Sequence, residues 1–169
     1  KMLAKGTSFE NTTVLLEFGG NDCAYNWREV SEHPEEAHKP KIETGRFCEL
    51  YREAIALARS AGGDVMLSSL VPIDATKYMN FISRGLSYDN ILSWLGDVNM
   101  LYRWHEGYNR AVEQLADDCS LPLFDLREEF LYTHAFKSLI CDDGIHPTAE
   151  GHRMIEDILV NSLSRVGAA

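Results

Sequence analysis

No run of basic side chains occurs anywhere in this chain, and Lys and Arg (16) are outnumbered by Asp and Glu (26), for a formal net charge of −10. A surface of that sign has nothing with which to neutralise phosphates, which argues against a nucleic-acid partner. It suits a small neutral or cationic substrate instead. Long apolar runs are missing too. No stretch approaches the roughly 20 residues that a helix needs to cross a bilayer, so no membrane span is expected. The opening Lys1-Met2-Leu3-Ala4-Lys5 lacks the apolar core of a secretory leader. The four cysteines, Cys23, Cys48, Cys119 and Cys141, show neither C-x-x-C spacing nor a dense framework. They read as reduced thiols of a cytoplasmic protein. Secretion stays open, because the pattern starts mid-way and a leader can precede it. Internal repeats and low-complexity segments are absent, and no G-x-S-x-G elbow occurs.

What is present is the composition of one soluble domain spanning 1–169: 45% hydrophobic and 25% charged residues. Val14–Phe18 is a short apolar run of strand formers closed by two glycines, and reads as a buried parallel strand. Asn21 to Lys41 turns polar, with a short helical turn expected around Trp27. Thr44 is placed to cap a helix whose stripe is Phe47, Leu50, Tyr51, Ala54, Ile55 and Ala58, ended by Gly62-Gly63. Asp64–Val71 is the next strand, stopped by Pro72. Short helices are expected over Asp74–Ile82 and Tyr88–Leu95. A long one opens at Asp97 with Leu101, Trp104, Tyr108, Ala111, Val112 and Leu115 at helical spacing. Leu121–Leu126 is a third strand, and Arg127–Phe136 a further helix. Thr148 caps a last helix whose Met154, Ile155, Ile158, Leu159 and Leu163 face inward. Alternating strands and helices imply a parallel sheet covered on both faces. Ligands of such sheets bind beyond the carboxyl ends of the strands.

Two stretches carry chemistry. Asp143-Gly144-Ile145-His146-Pro147-Thr148 sets a carboxylate and an imidazole three residues apart where a loop opens a helix. Pro147 restricts His146 to an extended backbone, and Asp143 is close enough to orient its ring. Gly19-Gly20-Asn21-Asp22 sets a side-chain amide where a strand ends. A base, its partner and a donor for an oxyanion are three parts of an acyl-transfer site. Each stretch also has a plainer reading: a capping Asp with an incidental His, and ordinary turn chemistry. Ser68, Ser69 and Cys23 are weak candidates for the nucleophile. Asp142, Asp143, His146 and His152 offer metal-binding side chains, but the two histidines lack i, i+4 spacing, and no metal is expected. Tyr25 and Trp27 follow the Asn21 turn and are candidates either for a substrate wall or for packing under the long loop.

Together the two stretches resemble the GDSL/SGNH hydrolases. Gly19-Gly20-Asn21-Asp22 looks like that family's G-x-N-D block, with its glycine at Gly19 when aligned on Asn-Asp. Asp143-Gly144-Ile145-His146 looks like its D-x-x-H block. The likeness runs from about Thr13 to Leu163. It implies a three-layer α/β/α, flavodoxin-like fold and a serine-type ester hydrolase needing no cofactor. It implies a base at His146, an orienting carboxylate at Asp143 and an oxyanion donor at Asn21, acting on a small acyl ester; Gly20 and Asp22 of the same block, with Tyr25 and Trp27 after it, are the candidates to line the substrate. The family's nucleophilic Ser and second-block Gly have no counterpart here. The expectation is therefore that N-terminal strands are missing from the chain, and that the Val14–Phe18 edge is covered by such a segment or by another copy. The rival reading is a non-catalytic flavodoxin-like module that binds a ligand or partner.

Overall fold

The computed structural model describes residues 8–166; the side chains of 163–166, and with them the inward placement of Leu163, fall outside that description, as does the leader reading of residues 1–5. Three strands, β1 (Thr13–Leu16), β2 (Asp64–Ser68) and β3 (Leu123–Phe124), form a parallel sheet in the order β1-β2-β3. The register pairs Val14 with Val65 and Leu16 with Leu67, then Leu67 with Leu123. Side chains alternate across the sheet. Leu16, Val65 and Leu67 therefore share one face, and Leu15 and Met66 share the other.

The first face is covered by α2 (Thr44–Ser60) and α5 (Asn99–Asp118). Phe47, Tyr51, Ile55 and Ala58 of α2 and Tyr108, Val112 and Leu115 of α5 join Leu16, Val65 and Leu67 in one core. Tyr51 fixes α2 to the sheet by donating its hydroxyl to the Leu16 carbonyl (2.9 Å). On the second face Met66 packs with Phe124, Phe130 and the α8 (Ala149–Val166) residues Met154, Ile155, Ile158 and Leu159. A third core lies at the end of the sheet. There α1 (Trp27–Glu32), α3 (Ala75–Ile82) and α4 (Tyr88–Leu95) gather Val30, Met79 and Ile91 against Leu101 of α5. Among the described residues, cover is incomplete beside β1. Leu15, on the face of Met66, is 40% exposed, and the space between β1 and α8 stays open as a cleft.

The elements expected from the sequence are present, but several boundaries move. β1 closes at Leu16 rather than Phe18, because Gly19 turns the chain at a φ of +134°. β2 closes at Ser68 rather than Val71; beyond it the Leu70 N–H donates to the Asn109 side chain instead of a neighbouring strand. β3 keeps two residues of the six expected. The helix expected over 127–136 breaks in two, α6 (Arg127–Tyr132) and α7 (Phe136–Leu139), with Thr133 extended between them. Thr44 does not cap α2: Glu43 holds that position, and no side chain caps it. Asp97 sits one residue before the N-cap of α5, Val98, yet still accepts from the Asn99 N–H at 2.8 Å. Thr148 does cap α8, accepting from the Gly151 N–H at 3.2 Å. Among the described residues no helix is long and apolar enough to cross a membrane.

Candidate active site

The end of β1 supplies one side of the cleft. After Phe18 the backbone turns so that Asp22 and Cys23 both donate to the Gly19 carbonyl (3.1 and 3.2 Å). Gly19 is the glycine this turn requires. Its φ is in the left-handed half of the map, and a Cβ there would stand 2.9 Å from a Leu70 methyl. Gly20 has open space around it. The turn leaves Asn21 exposed, and its side-chain amide makes no hydrogen bond among the described residues.

The other side is the 141–148 loop, and it is heavily tied. Asp143 Oδ1 accepts from the N–H groups of Ile145 (2.9 Å) and His146 (3.0 Å), and Oδ2 lies 2.7 Å from His146 Nδ1. Partial burial alone would raise the Asp143 carboxyl; the bonds from Ile145 and His146 outweigh it and hold the group below its ordinary value. The loop is also sewn to its surroundings. Cys141 N–H donates to the His146 carbonyl and Thr148 N–H to the Leu139 carbonyl, both at 2.8 Å. Asp74 N–H, at the start of α3, donates to the Gly144 carbonyl (2.9 Å). Lys77 Nζ donates to the carbonyls of Lys137 and Ile140, each at 2.7 Å. With Nδ1 engaged by Asp143, the imidazole has Nε2 free to face outward, and its side chain is 71% exposed.

These two sides meet across a cleft of about 550 Å³, lined by Gly19, Gly20, Asn21, Asp22 and His146, with Ser68, Leu70 and Ile73 behind them and Leu15, Ile155 and Leu159 along its length. The structure thus brings Asn21 and the Asp143–His146 pair to one place. Tyr25 and Trp27 do not reach it. Tyr25 is buried and stacks on Trp104 with centroids 4.4 Å apart; Trp27 donates its indole N–H to the Tyr78 hydroxyl at 3.2 Å. Both line a small recess behind the cleft. Burial pushes the Tyr25 and Tyr78 phenols up to about 12.

The candidate nucleophiles within the chain fare poorly. Ser68 lines the cleft, but its side chain is buried and its hydroxyl donates to the Ser69 carbonyl at 2.9 Å. Ser69 is wholly buried between Asp125 and the Arg127 N–H. Burial pushes the Cys23 thiol up to about 11, so it carries little thiolate at neutral pH. Asp142, Asp143, His146 and His152 do not converge on a common centre. Among the described residues the one group of three whose ligand atoms come together is the exposed His33, Glu35 and Glu36.

Residues 3–154 match the GDSL-like lipase/acylhydrolase family. The chain belongs to that family. Among solved structures it is similar to a GDSL-like lipase from Bacteroides thetaiotaomicron, at 15% identity and a TM-score of 0.60, covering 91% of this chain and 62% of that one. An acetyl xylan esterase is similar at 22% identity and a TM-score of 0.56, covering 95% of this chain and 69% of that one. A lipase/acylhydrolase from Enterococcus faecalis follows at 14% identity and a TM-score of 0.52, covering 92% and 60%. At such identities the likeness is one of fold, the flavodoxin-like α/β/α fold of the SGNH hydrolases. The chain spans less than two thirds of the length of the Bacteroides lipase. No curated protein matches the chain.

Several roles at this candidate site are not given by the motifs, including that of Gly144 inside the D-x-x-H stretch. Gly144 has a φ of +80°, and a Cβ there would stand 2.2 Å from the Tyr78 nitrogen. A Cβ on Gly151 would stand 2.4 Å from the Leu139 carbonyl oxygen. Lys77 and the buried Arg127 hold backbone carbonyls around the site. His105 lines the cleft from α5, and its one sequence signal is a histidine on the helix face that carries Leu101 and Tyr108.

Proposed function

We propose that the whole protein is a serine-type ester hydrolase in which His146 is the general base, Asp143 orients it and Asn21 donates to the oxyanion. The observation that carries this reading is the 2.7 Å Asp143–His146 contact on the wall of a cleft shared with the unpaired Asn21 amide. Bonded to Asp143 through Nδ1, the imidazole presents Nε2 to a nucleophile. A serine Oγ would attack the acyl carbonyl as Nε2 takes its proton. The carbonyl oxygen, now negative, would accept from Asn21 Nδ2. Nε2 then returns the proton to the departing alcohol, and a water activated by the same nitrogen releases the acyl group. No step calls for a metal or cofactor.

The serine comes from outside residues 8–166 in this reading, since Ser68 is the one serine that lines the cleft among the described residues and its hydroxyl is buried and committed. The segment that brings it, or a second copy of the chain, covers the exposed β1 edge. The substrate is a small acyl ester; the fold neighbours named as a lipase and as an acetyl xylan esterase belong to that broad class. The four free thiols suit a reducing compartment.

The test is labelling of the whole protein with a serine-directed fluorophosphonate, followed by peptide mapping. A label on a serine outside 8–166, with hydrolysis of p-nitrophenyl acetate, is expected. In the same assay His146→Ala should lose several orders of magnitude. Asn21→Ala should lose roughly 10²–10³ in kcat, the usual loss for one oxyanion donor. A label on Ser68 or Ser69 would move the nucleophile into this chain. No label and no turnover would favour the non-catalytic module, which the lack of an available serine beside His146 among the described residues already makes a coherent alternative.

A further inference from the structure

α5 places a third imidazole against the cleft, beside His146 and His152. His105 occupies a position where the core face of α5 otherwise carries Leu101, Tyr108 and Val112, and it is only 4% exposed. Neither ring nitrogen has a hydrogen-bond partner among the described residues, and Nδ1 is sealed from solvent. The charge that acts on it is the Arg127 guanidinium, which is ion-paired with Glu106 (2.6 Å) and donates to the Leu70 carbonyl (3.0 Å). Burial first, and then that charge, pushes the imidazole down to about 3, so it is neutral at any working pH.

A buried polar group without a partner costs stability, and an apolar side chain would fill the position without that cost. The placement of His105 gives it a use. It lines both the 550 Å³ cleft and the small recess behind it, of about 20 Å³, which is room for one water-sized group. Gly20 and Ile145 also line both spaces, and they are the neighbours in sequence of Asn21 and His146. His105 therefore stands on the seam between the two halves of the site. Leu70, Ile73 and Phe124 make part of the cleft wall apolar, while Asn21, Ser68 and His146 bring polar groups to the same space. An unpaired buried nitrogen beside that apolar stretch favours a ligand with a matching polar group, because a ligand without one leaves it unpaired.

We propose that His105 is a specificity-determining residue of the cleft, whose Nε2 hydrogen-bonds a hydroxyl group of the ester substrate seated at the mouth of the recess. This rests on the hydrolase reading for the word substrate, but not for the contact itself. A neutral imidazole in a chain of net charge −10 does not select an anion. Nδ1 is sealed, so Nε2 is the ring nitrogen left to meet a ligand.

The test pairs 2-hydroxyethyl acetate with propyl acetate, which replaces the hydroxyl by a methyl. For the whole protein, kcat/KM for the hydroxylated ester should exceed that for propyl acetate by roughly three- to tenfold, the worth of one neutral hydrogen bond. His105→Leu should lose the preference, and His105→Gln should keep part of it. Binding is read separately by ¹⁵N-histidine NMR in a His146→Ala background, with the His105 signal assigned by its absence in His105→Gln. The His105 ring should stay neutral from pH 5 to 8. It should shift with 2-hydroxyethyl acetate and not with propyl acetate. A shift without turnover of either ester in the wild type supports the contact and sinks the hydrolase reading. Turnover with no preference and no shift shows that His105 only fills space. Neither shift nor turnover overturns both.

Discussion

Replacing Gly144 by alanine tests the element on which the whole site depends. The new Cβ would lie 2.2 Å from the Tyr78 nitrogen, 2.7 Å from the Asp74 carbonyl oxygen and 2.7 Å from Tyr78 Cα. All three are backbone atoms in the first turn of α3, so no side-chain rotation relieves the overlap. A φ of +80° adds its own penalty for any residue with a Cβ, of the order of 1 kcal/mol. Separating the loop from α3 also breaks the Asp74 N–H to Gly144 carbonyl bond, worth about 1 kcal/mol. Displacing a packed helix costs a further 1–3 kcal/mol or so. The total loss should be about 3–5 kcal/mol. With an m-value of roughly 2 kcal/mol per M, the urea midpoint falls by about 1.5–2.5 M. Two other glycines calibrate the argument. At Gly19 the φ is unfavourable, but the atom met is a Leu70 methyl that can give, so Gly19→Ala should cost less. At Gly20 no atom lies within 4 Å and the φ is ordinary, so Gly20→Ala should be neutral or slightly stabilising. Urea titrations of the three variants decide the ranking. A Gly144→Ala midpoint within 0.3 M of wild type, roughly the error of such fits, would refute the described contact between this loop and α3.

Lys77→Met removes two charge-assisted bonds to the Lys137 and Ile140 carbonyls, and thermal melts should show a loss of about 1–3 kcal/mol that Lys77→Arg partly recovers. Acid should act in two windows. His105 is held at about 3 against an ordinary 6.5, so the unfolded chain binds the extra proton; stability is complete above about 6.5 and falls by ~1.4 kcal/mol per pH unit toward 3. Asp143 is held below its ordinary value, so its contribution is present above about 3.9 and disappears only as pH drops further. Midpoints at pH 7, 5.5 and 4.5 check the first window, and a His105→Leu variant that kept the full wild-type slope would exclude His105 as its source.

Much of the architecture is legible in periodicity, because each apolar stripe has one place to go. The α2 stripe Phe47, Tyr51, Ile55, Ala58 and the α5 stripe Tyr108, Val112, Leu115 are buried together against Leu16, Val65 and Leu67. Strand ends are less legible, since they are set by partners distant in sequence. Ser69 and Leu70 leave the strand for Asp125, Arg127 and Asn109, and no local pattern announces those bonds. The break of the 127–136 helix at Thr133 is equally silent. At the site, the residues that bring chemistry stand in two short motifs, and their types and spacing make them visible. The residues that position them are glycines, a lysine and a buried arginine, whose roles exist only in three dimensions. Tyr25 and Trp27 are ambiguous for the same reason: nearness in sequence to Asn21 fits a substrate wall and packing under the loop alike, and the structure places them in an aromatic cluster behind the cleft.

The two halves of the site are not bonded to each other; each is held by the same short segment after β2. Leu70 packs beside Gly19 and so limits where the Asn21 turn can lie. Asp74 donates to Gly144 and caps α3 by accepting from the Lys77 N–H at 3.0 Å, which sets the His146 loop. The segment is itself fixed from behind. Ser69 donates to Asp125, Leu70 N–H donates to Asn109, and the Leu70 carbonyl accepts from Arg127, whose buried charge is balanced by Glu106. Such a pair is a poor source of stability but a stiff one, because Glu106 cannot leave without stranding the buried Arg127 charge in low dielectric. The distance between the Asn21 amide and the His146 ring is therefore set by residues 69–74, which carry none of the proposed chemistry. Sequence motifs mark the two ends of that distance, and the buried polar network under β2 supplies its length.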